Sequence, residues 1–226
     1  MNNKGIQEII SLNKDFYTKH NESFDKSRSF GFWDGFNDIL EFVPQDLKIL
    51  DLGCGNARFL KFLLEKNIEI KYYLGLDNSS EFILKNSQNY EKYEFKELDV
   101  ISHIDQIDQK YSLVVAFGIT HHIPDKEFRK NWFQKVEEKT EKGGFIVISF
   151  WNFDKDKNDK NFKPLKYKTQ EGDYFLGWKE DYTSHRYCHF FESSEIIEVI
   201  QIFKDSTLLK KFDKDQNTYL ILQKNS

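Results

Sequence analysis

Residues 49–58 contain a glycine turn of a kind that often binds a ligand. They read ILDLGCGNAR, a short apolar run followed by Gly53 and Gly55. Glycine has no Cβ, so it lets the backbone turn sharply and approach a ligand closely. A helix expected to begin near Ala57 offers free backbone N–H groups to the same place. The segment predicts a ligand site between a strand and a helix, although a tight turn without a ligand has the same composition.

Charged residues around the turn indicate which ligand it takes. Asp51 precedes the turn, where its carboxylate can reach an ammonium group and would repel a pyrophosphate. Arg58 stands where the dinucleotide-binding fingerprint has its third glycine. Asp77 ends the next apolar run, 22 residues after Gly55, where a carboxylate can accept hydrogen bonds from both ribose hydroxyls. The pattern favours a ligand with an ammonium group and a ribose over a dinucleotide.

Two further apolar runs are expected to end at the same edge of the sheet, one at Asp99 and Val100 and the other at Phe117. The first of them ends in residues that suit an adenine. The Asp99 carboxylate can accept a hydrogen bond from the adenine amino group and Val100 can pack on the ring, although Asp99 could instead only cap a helix. The carboxyl ends of parallel strands form the edge at which open α/β sheets bind ligands. We therefore predict S-adenosylmethionine (SAM) as the cofactor. The residues predicted to bind it are Asp51, Gly53, Gly55, Asn56, Asp77, Asn78, Asp99, Val100 and Phe117.

The elements that must position these residues alternate between strand and helix. This alternation predicts an α/β, doubly wound, mostly parallel sheet with helices on both faces. A closing antiparallel hairpin is expected at residues 207–209 and 218–222. The predicted parallel strands are 48–52, 72–76, 93–98, 113–117 and 144–150, and the helices between them are 57–66, 80–86 and 126–140.

The chain of 226 residues, 39% of them hydrophobic, is long enough to form one domain around its own core. Segment 154–168 has six lysines and three aspartates, so it reads as a solvated loop or as a weak tRNA contact. We expect a single domain over 1–226, made of an N-terminal helical cap (1–45), the SAM-binding core (46–150), an exposed insertion (151–185) and a C-terminal part with the substrate side and the closing strands (186–226).

Charge and cysteine content exclude several other classes of protein. The net charge of -4 and the pI near 5.9 argue against a broad nucleic-acid-binding face. Two cysteines are too few for a disulfide framework or a four-cysteine zinc site, so we expect a reduced, cytoplasmic protein without a metal. We expect neither a signal peptide nor a membrane span, because no apolar run is long enough.

With these motifs in this order, residues 48–150 resemble the class I SAM-dependent methyltransferases. That resemblance implies a seven-stranded, Rossmann-like sheet and an enzyme that transfers the methyl group of SAM. The matching segments are 50–55, 74–77, 98–100 and 115–117.

The flanking segments resemble one branch, the tRNA wobble-uridine carboxymethyl methyltransferases. The segments are 24–28 (FDKSR), 119–123 (ITHHI), Trp151 and 186–191 (RYCHFF). Lysine and serine in the first segment and a cysteine in the last depart from the family pattern. That family methylates the carboxylate of 5-carboxymethyluridine, which implies tRNA as a partner and often a small zinc-binding activator protein.

The acceptor residues follow from that chemistry. A carboxylate is already ionised at neutral pH, so the enzyme needs to align it with the methyl group rather than to deprotonate it. Arg186 could hold the carboxylate bidentately, Tyr187 could donate to the same group and Trp151 could stack on a base. Arg28 is assigned to the carboxylate of SAM.

Alternatives remain for several of these residues. His121 and His122 could contact the acceptor or act as a general base, or they could pack under the sheet edge and cap the next helix. Arg186 could form a structural salt bridge with Asp173 or Glu180.

Two other functions also fit the sequence. A small-molecule O- or N-methyltransferase agrees with the acidic pI. A non-catalytic SAM-binding subunit is the second alternative, and the intact set of Asp51, Gly53, Gly55 and Asp77 argues against it.

Overall fold

The structure is a computed structural model that describes residues 3–28, 31–159, 161–164, 166–178 and 181–226; of Arg28, Asp181 and Tyr182 it describes only the backbone. Five parallel strands form most of the central sheet. They are β1 (Lys48–Leu52), β2 (Tyr72–Asp77), β3 (Glu94–Glu97), β4 (Tyr111–Ala116) and β5 (Thr140–Trp151).

Two antiparallel strands complete this sheet, β8 (Ser206–Lys214) and β9 (Asn217–Lys224). Strand β9 pairs antiparallel with β5, which gives the order β3-β2-β1-β4-β5-β9-β8. The predicted doubly wound, seven-stranded sheet with a C-terminal antiparallel hairpin is therefore confirmed. Within the described residues, no helix is both long enough and apolar enough to cross a membrane.

Helices cover both faces of the sheet. The described part of the chain has six α-helices, and 3-10 turns include one at Asp34–Phe42 and one at Thr120–His122. The α-helices are α1 (Asn3–Arg28), α2 (Arg58–Glu65), α3 (Ser80–Asn89), α4 (Val100–His103), α5 (Lys126–Glu138) and α6 (Ser193–Ile202).

Strand β4 shows how the sheet divides the core. All six of its residues are buried, as expected for a central parallel strand. Because successive side chains of a strand point to opposite faces, Leu113 and Val115 pack against α2, whereas Val114 and Ala116 pack against α5 and α6. The two helical layers thus hold β1 to β4 in place, and with them the edge at which the predicted cofactor residues lie.

The segment predicted as an exposed insertion is not simply exposed, and this corrects the expectation for 151–185. It contains strand β6 (Asp173–Trp178), which pairs antiparallel with β7 (Asp181–His189) in a separate two-stranded sheet. Phe153 and Tyr167 are buried with residues of these strands. Buried aromatic residues of this segment are spaced several positions apart among many charged residues. The average composition of the segment is therefore polar, although one side of it is buried.

Helix α1, from Asn3 to Arg28, makes up most of the segment expected as an N-terminal helical cap. It is fixed to β7 by Asn13, which is buried. The Asn13 Oδ1 accepts a hydrogen bond from the Tyr187 N–H (2.7 Å), and its Nδ2 donates to the Tyr187 carbonyl (3.2 Å). Further along α1, the Asp25 carboxylate accepts a hydrogen bond from Asn56 (2.9 Å) beside the glycine turn. Helix α1 therefore spans from the small sheet to the cofactor edge of the large one.

Candidate active site

The glycine turn after β1 requires glycine for two different reasons. Gly53 has a φ of +77°, and a Cβ built on it would lie 2.8 Å from Cδ1 of Ile119. Gly55 has a φ of +50° with open space around the position of a Cβ. Both residues therefore adopt a backbone conformation that other residues rarely adopt. At Gly55 the open space leaves the backbone accessible to a ligand.

Asp77, at the end of β2, is held in a fixed orientation by backbone donors. Its Oδ2 accepts a hydrogen bond from the Gly55 N–H (2.9 Å), and its Oδ1 accepts one from the Ser79 N–H (2.9 Å). Burial raises the pKa of Asp77, and these backbone hydrogen bonds oppose that rise. The carboxylate therefore joins the glycine turn to the start of α3.

Asp51 lies below the turn and is almost fully buried. Burial raises the pKa of its carboxyl group to about 7, although a hydrogen bond from the Tyr73 hydroxyl (2.7 Å) opposes the shift; the nearby Asp77 carboxylate raises it further. A cation placed beside Asp51 would restore the charged form, because opposite charges stabilise each other at short range. The site therefore fits an ammonium group.

Nine of the ten residues predicted to bind the cofactor line one pocket at this edge. Asp99 also caps α4, where its Oδ1 accepts from the N–H groups of Ile101 (3.1 Å) and Ser102 (3.4 Å). The side chain of Arg28 lies outside the described residues. The nine are Asp51, Gly53, Gly55, Asn56, Asp77, Asn78, Asp99, Val100 and Phe117.

Trp33 and Arg58 also line this pocket, and the sequence did not assign them to it. The Arg58 guanidinium donates to the Gly31 carbonyl from Nε (3.1 Å) and Nη2 (2.8 Å) and lies 4.9 Å from the centre of the Trp33 ring. The arginine that replaces the third glycine of the dinucleotide fingerprint thus holds the segment after α1 beside the pocket. The position of Arg58 in the glycine motif could have indicated that it lies at the pocket, but its partner Gly31 is 27 residues away and no local pattern identifies it.

The pocket continues past Ile119 to side chains of α1, among them Asn13 and Tyr17. His122 lines the same end. Its Nδ1 lies 2.9 Å from the Tyr187 carbonyl, and its Nε2 lies 2.7 Å from the Tyr17 hydroxyl. The Asn13 amide nitrogen, a donor, also lies 3.2 Å from this Nδ1. We assign the ring proton to Nδ1, because the Tyr187 carbonyl is closer and only accepts and because Asn13 Nδ2 already donates to that carbonyl; Nε2 then accepts from Tyr17.

His121 is buried beside this end of the pocket but is not among the residues that line it. Its ring packs 4.0 Å from that of His122 and 5.2 Å from that of Trp151, measured between ring centres. The expectation that one of the two histidines caps the next helix is wrong. Helix α5 is capped by Asp125, whose Oδ1 accepts from the N–H groups of Glu127 and Phe128.

Arg186 is buried behind the pocket, and Tyr17 stands between them. Its Nη1 donates to the Tyr17 hydroxyl (3.4 Å). The alternative of a salt bridge with Asp173 is wrong, since no described carboxylate lies within 4 Å of the guanidinium; Glu180 lies outside the described residues. The guanidinium is surrounded by four aromatic rings at 5.1 to 5.9 Å, those of Phe16, Tyr17, Trp151 and Trp178.

Tyr187 and Trp151 do not line the pocket. Tyr187 is fully buried on the other face of β7, and its hydroxyl donates to Asp173 (2.6 Å), which corrects the expectation that it shares a carboxylate with Arg186. Neighbouring residues of a strand point to opposite faces, so the two side chains cannot meet at one ligand. Trp151 packs against Arg186 and Phe153 and is partly exposed.

A buried group of possible metal ligands lies beside Arg186. The ligand atoms of His121, His122 and Cys188 lie within 4.8 Å of one another. Burial raises the pKa of the Cys188 thiol to about 12, even though the Arg186 guanidinium lowers it. Both ring nitrogens of His122 already have hydrogen-bond partners. A protonated thiol next to a fixed positive charge is a poor cation ligand, and we assign no metal to this group.

Comparison with known proteins agrees with this geometry. Residues 50–146 match a family model described as "Methyltransferase domain". The matched segment begins in β1 and ends in β5, so it contains the glycine turn and the strand ends that line the pocket.

Two curated relatives carry more specific names. The tRNA (carboxymethyluridine(34)-5-O)-methyltransferase of Arabidopsis thaliana is 23% identical over 125 residues, which are 55% of this chain and 29% of that protein. The tRNA U34 carboxymethyltransferase of Nautilia profundicola is 26% identical over 153 residues, 66% of this chain and 48% of that protein. The chain thus spans less than half the length of either relative.

A solved structure shows the same fold along nearly the whole chain. It is the 1,6-didemethyltoxoflavin-N1-methyltransferase of Burkholderia thailandensis, solved with 1,6-didemethyltoxoflavin and S-adenosylhomocysteine. The TM-score is 0.69 at 14% identity, and the match covers 98% of this chain and 91% of that one. At this identity, the likeness concerns the fold alone.

Proposed function

Since residues 50–146 form a methyltransferase domain, we propose that this protein transfers the methyl group of SAM to the carboxylate of 5-carboxymethyluridine at the wobble position of a tRNA. One observation carries the choice of cofactor. Three acidic side chains, Asp51, Asp77 and Asp99, line one pocket at the ends of three neighbouring strands. Their order along the sheet edge, from β1 through β2 to β3, suits the ammonium group, the ribose and the adenine of SAM.

In this proposal each end of the cofactor has its own residues. The Asp51 carboxylate would pair with the ammonium group, and Asp77 would accept from the ribose hydroxyls. Asp99 would accept from the adenine amino group while Val100 packs on the ring. Arg28 would pair with the carboxylate of SAM. Bound SAM supplies a methyl group on a positively charged sulfur.

The choice of acceptor rests on charge. Arg186 is buried without a carboxylate partner among the described residues, so an anionic group close by would stabilise it. A carboxylate acceptor supplies that charge. Its oxygen would form a bond to the methyl carbon while the bond from that carbon to sulfur breaks, which leaves a methyl ester and a neutral thioether. No proton moves in this step, so alignment is the contribution asked of the protein.

The names of the curated relatives support tRNA as the partner. A small activator protein belongs to the same proposal, because the family that the sequence resembles often has one. We also place the protein in the cytoplasm, where Cys54 and Cys188 would stay reduced; both are buried and free. Two lysines of 154–168 have acidic neighbours, since Lys155 pairs with Glu192 and Lys157 lies 4.0 Å from Asp154, which reduces what these two could offer to tRNA.

A small-molecule O- or N-methyltransferase is the second candidate, and one observation favours it. We call the part of the pocket lined by Asn13, Tyr17 and His122 the acceptor end. There the Nε2 of His122 accepts a hydrogen bond from Tyr17, and this imidazole nitrogen could act as a base that removes a proton from a neutral hydroxyl or amine. The net charge of -4 also suits a small acceptor better than a polyanion.

The test is transfer of radiolabelled methyl from SAM to tRNA isolated from cells that lack the modification, with the activator protein present. We expect label at the wobble uridine that is released by mild alkali, as a methyl ester would be. Calorimetry with SAM is the control for an intact cofactor site.

Each other outcome points to a different function. Bound SAM without labelled tRNA, but with a labelled metabolite, would support the small-molecule enzyme. Bound SAM without any labelled acceptor would support a SAM-binding subunit. No affinity for SAM would contradict both enzymatic proposals.

A further inference from the structure

At the acceptor end of the pocket, three polar side chains form one continuous chain of hydrogen bonds. Arg186 Nη1 donates to the Tyr17 hydroxyl (3.4 Å), and that hydroxyl donates to Nε2 of His122 (2.7 Å). Tyr17 and His122 line the pocket, whereas Arg186 does not. The positive charge therefore reaches the pocket through a phenol hydroxyl.

We infer that Tyr17 is the residue that binds the acceptor carboxylate, and that Arg186 is a positioning residue that acts through it. This inference rests on the proposed function, because it assumes a carboxylate acceptor. It assigns to α1 a contact that the sequence had assigned to β7.

The surroundings of Arg186 explain why it needs an intermediary. Aromatic rings of α1, β5 and β6 enclose the guanidinium, and the residue is only 6% exposed. Such rings stabilise the cation, but they also prevent a bulky ligand from reaching its donor groups. Tyr17 lies at the opening of this enclosure and is half-buried.

The same contacts make the Tyr17 hydroxyl a strong donor. A hydroxyl that accepts a hydrogen bond from a cation is polarised and donates more strongly itself. Its present acceptor is a neutral imidazole nitrogen. A carboxylate is a better acceptor, because hydrogen bonds to charged groups are about twice as strong as neutral ones. Rotation about the bond from ring carbon to oxygen turns the donor from His122 towards the pocket without any movement of the ring.

The other ring nitrogen of His122 keeps its hydrogen bond when Tyr17 changes its acceptor from His122 to the carboxylate. Its Nδ1 proton is held by the Tyr187 carbonyl, so the ring keeps its orientation when the Tyr17 hydroxyl turns away. Asn13 supports the same carbonyl from α1. The acceptor site thus combines α1, the 3-10 turn at Thr120–His122 and β7.

The experiment compares Tyr17→Phe with Tyr72→Phe. Tyr72, the control, lies on β2 and outside the pocket, and its hydroxyl donates a hydrogen bond to the side chain of Glu94. Both variants therefore remove one hydroxyl that is bonded to a neighbouring side chain. We measure the affinity for 5-carboxymethyluridine in the presence of S-adenosylhomocysteine, the affinity for SAM, and KM and kcat on tRNA that carries 5-carboxymethyluridine. For Tyr17→Phe we expect nucleoside affinity and KM to worsen about tenfold or more and kcat to fall as well, because the carboxylate is aligned less well, with SAM affinity within about twofold of wild type. Tyr72→Phe should match wild type in every measurement.

A double-mutant cycle tests whether Arg186 acts through Tyr17. Arg186→Lys is combined with Tyr17→Phe, and folding of each variant is checked by its thermal midpoint. If the charge acts through the hydroxyl, Arg186→Lys should weaken nucleoside binding several-fold in wild type and by less than about twofold once the hydroxyl is gone. Independent, additive effects would overturn this part of the inference.

The outcomes separate this inference from the proposed function. Methylation of tRNA by wild type with an unchanged KM for Tyr17→Phe would overturn the role of Tyr17 alone. An equal loss of SAM affinity in that variant would also overturn it, since the hydroxyl would then serve the shape of the cofactor site. A wild-type protein that binds SAM but neither binds the nucleoside nor methylates the tRNA would overturn the proposed function and, with it, the carboxylate that Tyr17 is inferred to bind.

Discussion

At the scale of single residues, the cofactor pocket depends on charges kept away from water. Asp51 is the clearest example, because burial raises its pKa to about 7 while a hydroxyl and a second carboxylate lie beside it. A ligand with an ammonium group would lower that pKa again. Cofactor binding and protonation of Asp51 are therefore linked.

The first prediction concerns the pH dependence of SAM binding. Affinity should be greatest at about pH 7.5, where the Asp51 carboxylate of the free protein is charged and the ammonium group of SAM still holds its proton. Below about pH 7 binding must displace a proton from Asp51, and affinity should fall by up to about tenfold per pH unit; above about pH 8 it should fall again, because the α-amino group of SAM itself loses its proton. Calorimetry from about pH 5.5 to 8.5, in two buffers with different heats of ionisation, measures both the affinity and the released proton. In Asp51→Asn the affinity should be weaker and should no longer fall below about pH 7. A wild-type affinity that stays constant across this range would contradict the prediction.

The second prediction compares the two glycines of the turn. Gly53→Ala should destabilise the fold by about 2–4 kcal/mol, because it combines a positive φ with a close contact to Ile119. Gly55→Ala has a positive φ and open space, so it should cost about 1 kcal/mol and mainly weaken SAM binding. Urea midpoints and SAM affinities of both variants provide the comparison. Equal loss of stability in the two variants would contradict these different roles.

At the scale of elements, helix α1 contributes more than a cap. It supplies Tyr17 to the acceptor end of the pocket, Asn13 to the backbone of β7, and Asp25 to the Asn56 amide at the glycine turn. The position of one helix therefore affects both the cofactor side and the acceptor side of the site.

The third prediction tests the contact between α1 and β7. Asn13→Ala leaves a buried N–H and a buried carbonyl of Tyr187 without this partner, which should destabilise the fold by about 3 kcal/mol. Thr18→Ala, on the exposed side of the same helix, is the control and should change stability by less than about 0.5 kcal/mol. Denaturant midpoints measure both. A midpoint for Asn13→Ala equal to that of the control would show that α1 is fixed by other contacts.

At the scale of the whole molecule, a buried network of polar side chains joins the small sheet to the main core. Asp173 accepts from Tyr187 (2.6 Å) and pairs with His189 (3.0 Å). His189 also pairs with Glu195 of α6 (2.8 Å), and Glu195 with Arg129 of α5 (3.2 Å). The network includes both strands of the small sheet and two helices of the main domain, so its loss should affect cooperative unfolding.

The fourth prediction concerns acid stability. Burial alone would raise the pKa values of Asp173 and Glu195, but hydrogen bonds from His189 and other partners outweigh it, and both pKa values are lowered. A lowered carboxyl pKa contributes stability above its unfolded value, near 4, and that contribution is lost as the pH falls through the folded value. The free energy of unfolding should therefore fall steeply below about pH 4.

Asp173→Asn tests this expectation directly. The variant should be less stable by about 3 kcal/mol at neutral pH and should show a weaker dependence on acid than wild type. Asp159→Asn removes the exposed partner of His185 and should leave the neutral-pH midpoint nearly unchanged. Urea unfolding from about pH 3 to 7 measures all three proteins. A neutral-pH stability of Asp173→Asn equal to wild type would show that this network does not hold the domain together.

The cofactor side of the site could be read from the sequence because of how the fold is connected. In a parallel α/β sheet, each strand end in turn reaches the same edge, so Asp51, Asp77 and Asp99 come together without any knowledge of distant packing. Strand and helix patterns also predicted a mostly parallel sheet with a closing antiparallel hairpin, and the family resemblance implied its seven strands. Local patterns were sufficient for both.

Only the tertiary structure showed how the residues proposed to contact the acceptor are arranged. Arg186 and Tyr187 are neighbours in sequence, but strand geometry directs them to opposite faces, one behind Tyr17 and the other towards Asp173. Tyr17 lies on a helix more than a hundred residues away from His122 in sequence. In the sequence, a tyrosine that packs in the core and one that borders a pocket give the same helical pattern. The sequence alone determined the fold and the cofactor edge, whereas the acceptor contacts depend on long-range packing that no local pattern encodes.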